Sequence, residues 1–202
     1  MSERDHVAEA TADLLALSDV KRWTVVKATR GQSVAEHSFN VLVIATELLR
    51  RLGLVDNQTY AGMFAWAMIH DMPETLTGDI NGKFKRDYPA MRAAVVEAEE
   101  KAFPRYAGVA AHVPEHIKAI VKVADKVEAI VFIHTWGAGP RAESVNVELR
   151  HHLFDDSIPR LAAALVGVPN TGQHMVESLK LMVGDMVRRI TSEEHSIQMR
   201  PK

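Results

Sequence analysis

At 202 residues, 47% hydrophobic and 25% charged, the chain is long enough for one domain with a real core and short for two. Its formal charge of −2 and pI near 6.6 give no electrostatic ground for a large nucleic acid as the main partner. The absence of cysteine excludes disulfides, thiolate metal sites and cysteine nucleophiles. The N-terminal segment MSERDHVAEATADLLAL is charged and amphipathic rather than a signal peptide. Apolar runs are interrupted well before the roughly 20 residues a membrane-spanning helix needs. The expectation is a cytoplasmic protein with no membrane partner.

In chain order, apolar residues over 7–17 fall on one helical face. Residues 34–52, VAEHSFNVLVIATELLRRL, are apolar at spacings of three and four until Gly53 stops them. Asp56 and Asn57 are N-cap candidates for a helix through TYAGMFAWAMIHD, which Pro73 ends near Met72. TLTGDINGKFKRDYP, with two glycines and a proline, reads as a loop. Helical patterns resume at 89–103 and at 114–135, where Pro114 suits the first turn; the segment 101–114 carries no clear pattern. WGAGPRAESVN breaks the pattern, helices follow at 144–166 and 171–192 with GVPNTG between, and EEHSIQMRPK is a polar tail. IKAIVKVADKVEAIVFI is apolar enough to tempt a strand assignment. Its charges at Lys118, Lys122, Asp125, Lys126 and Glu128 recur at helical spacing instead. The fold class is therefore all-α, read as a single domain over 1–202, with a motif-bearing core at about 18–135 and C-terminal helices over 144–192.

Four ionisable residues stand out because apolar sequence surrounds them: His37 in SVAEHSFNV, the adjacent His70 and Asp71, and Asp125 in VKVADKVEAI. A charge buried in such a setting is costly unless it is paired or bound to an ion. Two imidazoles and two carboxylates from three helices form a nitrogen–oxygen ligand set. It suits a divalent transition metal and leaves positions for water and a phosphate oxygen. If the helix persists one turn beyond His70, Glu74 shares the face of His70 and Asp71. A carboxylate there could act as general acid or base, or orient a ligand. The chemistry that follows is attack of a metal-bound hydroxide on phosphorus. Each residue alone has a plainer alternative: His37 as a core histidine, Asp125 as half of an ion pair with Lys122 or Lys126. Spacing does not decide between them. The remaining histidines, at 6, 112, 116, 134, 151, 152, 174 and 195, read as surface or helix-end residues, and Asp155 and Asp156 as part of a turn.

Taken jointly, the pair Arg22-Trp23, the block QSVAEHS, the block HDMPETLTGDI and the late VKVADKVEAI resemble the HD-domain phosphohydrolase superfamily, and more narrowly the YfbR-like 5′-deoxynucleotidases. The resemblance covers about residues 18–135. It implies an HD-domain helical bundle, and a divalent cation (Co, Mn, Zn, Fe or Mg) held by His37, His70, Asp71 and Asp125. It implies further that Asp71 and Glu74 serve catalysis and that Glu74 acts on the attacking water. Asp79 would contact the sugar, Trp23 would pack against deoxyribose or base, and Arg22 would hold a phosphate, since a planar guanidinium grips two oxygens at once. Lys83, Lys85 and Arg86 form a basic cluster after Asp79 that is either a solvated face or a site for further phosphates, with Lys83 and Lys85 the candidate contacts. INGKFK departs from the family, which more often carries proline there, and this leaves substrate choice open.

The function expected is removal of the 5′-phosphate from a deoxynucleoside monophosphate by attack at the α-phosphorus. The alternative is release of triphosphate from a deoxynucleoside triphosphate such as dATP, the activity of close phage relatives. Ligand residues alone do not separate the two. A non-catalytic nucleotide-binding HD module ranks lower, because no ligand and no Glu74 is missing. The family resemblance also implies a homodimer or higher homo-oligomer.

Overall fold

In the computed structural model the described residues are 11–80, 82–169, 171 and 176–192. The expectations for residues 7–10, for His6, His174 and His195, for Asn170 and Gly172, and for the polar tail lie outside them, as do the side chains of Lys83 and Arg86.

The first long helix, α1 (Val34–Leu52), begins where Ser33 in extended conformation accepts a hydrogen bond from the Glu36 N–H. It ends at Gly53, whose φ of 76° gives the left-handed turn that glycine adopts without steric cost. Its buried positions, among them Val34, Val41, Ala45, Leu48 and Leu52, follow the three-and-four spacing. Asp56 caps α2 (Asn57–Ile69) by accepting from the Thr59 N–H at 2.9 Å. This helix ends three residues before the expected boundary at Met72, and Pro73 accounts for the stop.

The stretch expected to be a loop is helical in two places, α3 (Glu74–Thr77) and α4 (Gly82–Asp87). Gly78, at φ 68°, supplies the break between them. α5 (Pro89–Ala102) and α6 (Pro104–His112) each start with proline in the first turn, where its missing N–H costs nothing. α6 lies in the segment where the sequence showed no pattern.

At the centre runs α7 (Glu115–Trp136), buried on nearly every side and packed against α1 and α2. The chain turns at Gly139 (φ 80°) into α8 (Pro140–His152), so the helix expected from 144 begins four residues earlier. It then continues through a π-helical turn, Leu153–Ser157, into α9 (Ile158–Ala164). Asp155 and Asp156 lie in this π-helical turn rather than in a chain reversal. α10 (Val176–Ile190) closes the core with Leu179, Val183, Met186 and Val187. Leu161 and Leu165 are likewise core residues, and Met182 packs against them partly buried. Among the described residues the regular structure is all α-helical. The only β-type pairings among them are two isolated bridges, Lys21 with Ser33 within the segment before α1 and Ala28 with Gly137, which ties that segment to the end of α7.

Candidate active site

The packing of α1 on α7 brings the first pair of site residues together. His37 sits one turn into α1 and is fully buried. Asp125 and Glu128, three residues apart on α7, share one face and meet its imidazole from both edges. Glu128 Oε2 lies 2.6 Å from His37 Nδ1, and Asp125 Oδ1 lies 3.4 Å from Nε2. At the end of α2, the His70 ring lies 5.7 Å from that of His37, centroid to centroid. His70 Nδ1 is 2.8 Å from the Ala67 carbonyl oxygen. A carbonyl only accepts, so Nδ1 carries the proton and Nε2 presents a lone pair. The Glu128 carboxylate fixes His37 in the same sense.

Both Nε2 atoms are buried without a hydrogen-bond partner. Two partnerless imidazole nitrogens beside carboxylates match, once unprotonated, the donors of a divalent cation. His37, His70 and Asp125 offer ligand atoms that all lie within 4.8 Å of one another. Asp71 Oδ2 lies 3.4 Å from each of the two Nε2 atoms and 3.3 Å from Arg22 Nη1. Asp125 also satisfies its plainer alternative, since its Oδ2 takes a hydrogen bond from Lys122 Nζ at 2.7 Å.

The protein alone surrounds His37 with negative charge. Burial and the Arg22 charge push its pKa down, but the facing carboxylates of Asp125, Asp71 and Glu128 outweigh them and raise it to about 10. Burial raises the Asp71 carboxyl, while the neighbouring His70, His37 and Arg22 overcome this and hold it below its usual range. Glu74 goes the other way. Its burial, with Asp71 and Asp79 nearby, lifts it to about 9, and its Oε2 has no partner. It opens α3 rather than extending α2, and still borders the same cleft.

That cleft, about 240 Å³, is lined by Arg22, Trp23, Asp71, Glu74, Asp79, Lys85 and Asp125, so most of the residues expected from the sequence converge, whereas His37 and His70 are not among its lining residues. Trp23 adopts φ 64°, the one positive value outside glycine among the described residues, a conformation costing about 1–2 kcal/mol. Three contacts hold it. Its backbone N–H donates to Asp79 Oδ2 at 3.3 Å, its indole N–H donates to Gln32 Oε1 at 2.8 Å, and its ring stacks on Phe132 at 5.8 Å. Trp23 is thus both a packed residue and a cleft wall.

The rest of the lining was not anticipated. Lys122 and Lys126 of α7 and Arg141, Val145, Glu148 and His152 of α8 complete the cleft. His152, read from the sequence as a surface or helix-end residue, is half-buried here. Glu128 and Gln32 were also missed, although Glu128 stands three residues after Asp125 in an otherwise apolar helix. A roomier groove of about 920 Å³ between α2, α6 and the start of α7 has mainly apolar walls and lies away from these groups.

A family model described as 5′-deoxynucleotidase YfbR-like matches residues 11–135. A dATP triphosphohydrolase of Salmonella phage PMBT28 is 35% identical over 138 residues, covering 65% of this chain and 70% of the relative. A 5′-deoxynucleotidase of Vibrio vulnificus is 29% identical over 103 residues, 45% of this chain and 50% of that protein. Among solved structures, an HD phosphohydrolase of Cyanophage S-2L bound to dA and one catalytic Zn²⁺ superposes with a TM-score of 0.73. It shares 22% identity and covers 89% of this chain and 96% of its own, a likeness of fold.

Proposed function

The chain belongs to the YfbR-like 5′-deoxynucleotidase family, and from that premise we propose that it is a divalent-metal-dependent phosphohydrolase that removes the 5′-phosphate from deoxynucleoside monophosphates. The observation that carries this is the convergence of two unpartnered imidazole nitrogens, His37 Nε2 and His70 Nε2, on the Asp71 and Asp125 carboxylates that line the cleft. These four residues would hold the cation. Imidazole donors favour Zn, Mn, Co or Fe over Mg, which prefers oxygen. When bound, such an ion polarises a phosphate oxygen and makes water a nucleophile near neutral pH.

The chain's own residues supply the rest. Glu74, held high by burial, carries or takes a proton at Oε2 beside the reacting phosphate. The Arg22 guanidinium, anchored on Asp71, offers its unpartnered Nε edge to phosphate oxygens. Asp79 accepts from the Trp23 N–H through Oδ2 and would receive a sugar hydroxyl beside it, while the Trp23 ring would pack on the deoxyribose. Lys85 lines the cleft and would face further phosphate charge, a role also expected of Lys83.

A second reading, triphosphate release from a deoxynucleoside triphosphate, is favoured by the cations Lys85, Lys122, Lys126 and Arg141 around the cleft and by the phage relatives. A product assay on deoxynucleoside mono-, di- and triphosphates with Mn, Co, Zn and Mg separates the readings. Phosphate from a monophosphate supports the first, and intact triphosphate from a triphosphate supports the second. No turnover of any of them with any cation refutes both. A homodimer or larger assembly is part of the proposal, supported by the exposed apolar residues Phe39 and Val43 on α1 and Phe64 and Met68 on α2. Sedimentation equilibrium tests it, and a monomer at micromolar concentration overturns it. Among the described residues no helix is long and apolar enough to cross a membrane.

A further inference from the structure

A chain of directed hydrogen bonds runs from the cleft wall to the back of His37. The Trp23 indole N–H donates to Gln32 Oε1 at 2.8 Å. Gln32 Nε2 donates to Glu128 Oε1 at 2.6 Å, and Asn40 Nδ2 donates to the same oxygen at 3.2 Å. Glu128 Oε2 meets His37 Nδ1 at 2.6 Å. Gln32, Glu128 and His37 are 1%, 3% and 0% exposed, so no water competes for these bonds.

The polarity of the chain is forced. An indole N–H can only donate, so Gln32 must turn its oxygen toward Trp23 and its NH₂ toward Glu128. The carboxylate of Glu128 can only accept. It takes the two amides on one oxygen and requires an N–H from His37 on the other. His37 Nδ1 therefore bears a proton in either charge state, which leaves Nε2 as the nitrogen that faces Asp71 and Asp125 and offers a lone pair there once its own proton is displaced. Reversing the Gln32 amide would set its NH₂ against the indole N–H and leave Glu128 short of a donor.

We propose that Glu128 and Gln32 are positioning residues that couple metal retention at His37 to the seating of Trp23, so that a change at the indole is felt by the cation although Trp23 holds no ligand atom. The inference rests on the reading above that His37 holds the metal and Trp23 faces the substrate. It assigns the Gln32–Glu128 link a role that core packing alone would not require. Reciprocity follows, because a cation that orders His37 also orders Gln32 and hence the indole.

The test is titration of the metal-free protein with Co²⁺ or Zn²⁺, read by the Co²⁺ visible spectrum and by calorimetry, in the wild type, Glu128→Gln, Trp23→Phe and the exchange Gln32→Glu/Glu128→Gln. Glu128→Gln is expected to weaken cation binding by roughly 10- to 100-fold. Trp23→Phe keeps the ring on Phe132 but removes the donor, and is expected to weaken cation binding by roughly 2- to 30-fold. In the exchange variant a carboxylate oxygen takes over from the amide oxygen as acceptor of the indole N–H, and the amide introduced at position 128 can turn its oxygen to His37 and its NH₂ to that carboxylate, so part of the loss is recovered. Circular dichroism and thermal melting identify any variant that fails to fold, and the remaining variants then decide the outcome. Unchanged affinity in Glu128→Gln overturns the proposal. Unchanged affinity in Trp23→Phe beside a loss in Glu128→Gln overturns the coupling to the cleft. Failure of the wild type to bind either cation sinks the metal reading itself, which is a different result.

Discussion

Adding a divalent cation to the metal-free protein at pH 7 should expel close to one proton per ion from His37. With its pKa raised to about 10, His37 is protonated there in all but roughly one molecule in a thousand. A ligand imidazole must be neutral, so the cation displaces that proton at a cost of roughly 4 kcal/mol, about three pH units at 1.4 kcal/mol each. Glu74, at about 9, can release part of a second proton once a positive charge sits beside it. Apparent cation affinity should therefore tighten by up to about tenfold per pH unit as pH rises toward 10. Without the cation the sign is opposite. Both groups have folded-state pKa values raised above their unfolded values. The stability from His37 is fully present below about 6.5 and lost as pH rises through about 10. That from Glu74 is present below about 4.5 and lost through about 9. Calorimetry in two buffers of different ionisation enthalpy counts the protons, and melting at pH 6 and pH 9 compares the two forms. Release of less than about half a proton per bound ion at pH 7 refutes the account of His37 as the charge that the cation replaces.

Glu74→Gln should retain cation and fold while turnover falls by about 10²–10⁴-fold, the range for loss of an acid–base group; steady-state kinetics on metal-loaded protein checks this. Asp79→Ala removes the acceptor that holds Trp23 at positive φ, so discrimination between deoxy and ribo substrates should weaken. Retention of the wild-type preference would mean that Asp79 does not read the sugar. Arg22→Lys keeps the charge but loses the planar fork, and KM should rise about tenfold or more, with a smaller change if Arg22 serves only to pair Asp71. Leu48→Ala, in the fully buried stripe of α1, should cost about 2–5 kcal/mol in denaturant unfolding with no change in the pH profile of turnover.

The long helices α1 and α7 were legible because their signals are local: apolar spacing up to Gly53 in one, apolar spacing and Pro114 in the other. The short α3 and α4 were not. Gly78 follows the one and Gly82 opens the other, which reads as a loop, and a helix of four to six residues depends on its surroundings rather than on its own propensity. In the site, the acids and histidines carried by the QSVAEHS and HDMPETLTGDI blocks could be named from sequence. Glu128 could not, because among Lys122, Lys126 and Asp125 it reads as one more helical charge, and only the packing of α1 on α7 turns it inward. Asp125 shows why the competing readings did not exclude each other: one oxygen faces His37 while the other binds Lys122. The α8 wall lies beyond residue 135, where neither the motif blocks nor the family match reaches.

The π-helical turn at Leu153–Ser157 lets one continuous rod serve two masters. Before it, Arg141, Val145, Glu148 and His152 look into the cleft. After it, Ile158, Leu161 and Leu165 look into the core. A π turn accommodates one residue more than the regular spiral, which rotates everything downstream by about 100° relative to everything upstream. The rod is therefore split into an adjustable half and a fixed half. Substitutions along the first should change the cleft lining without disturbing the anchor, whereas deleting a single residue from the turn would swing the cleft-facing side chains out of phase with the scaffold and leave the cluster of His37, His70 and Asp125 intact.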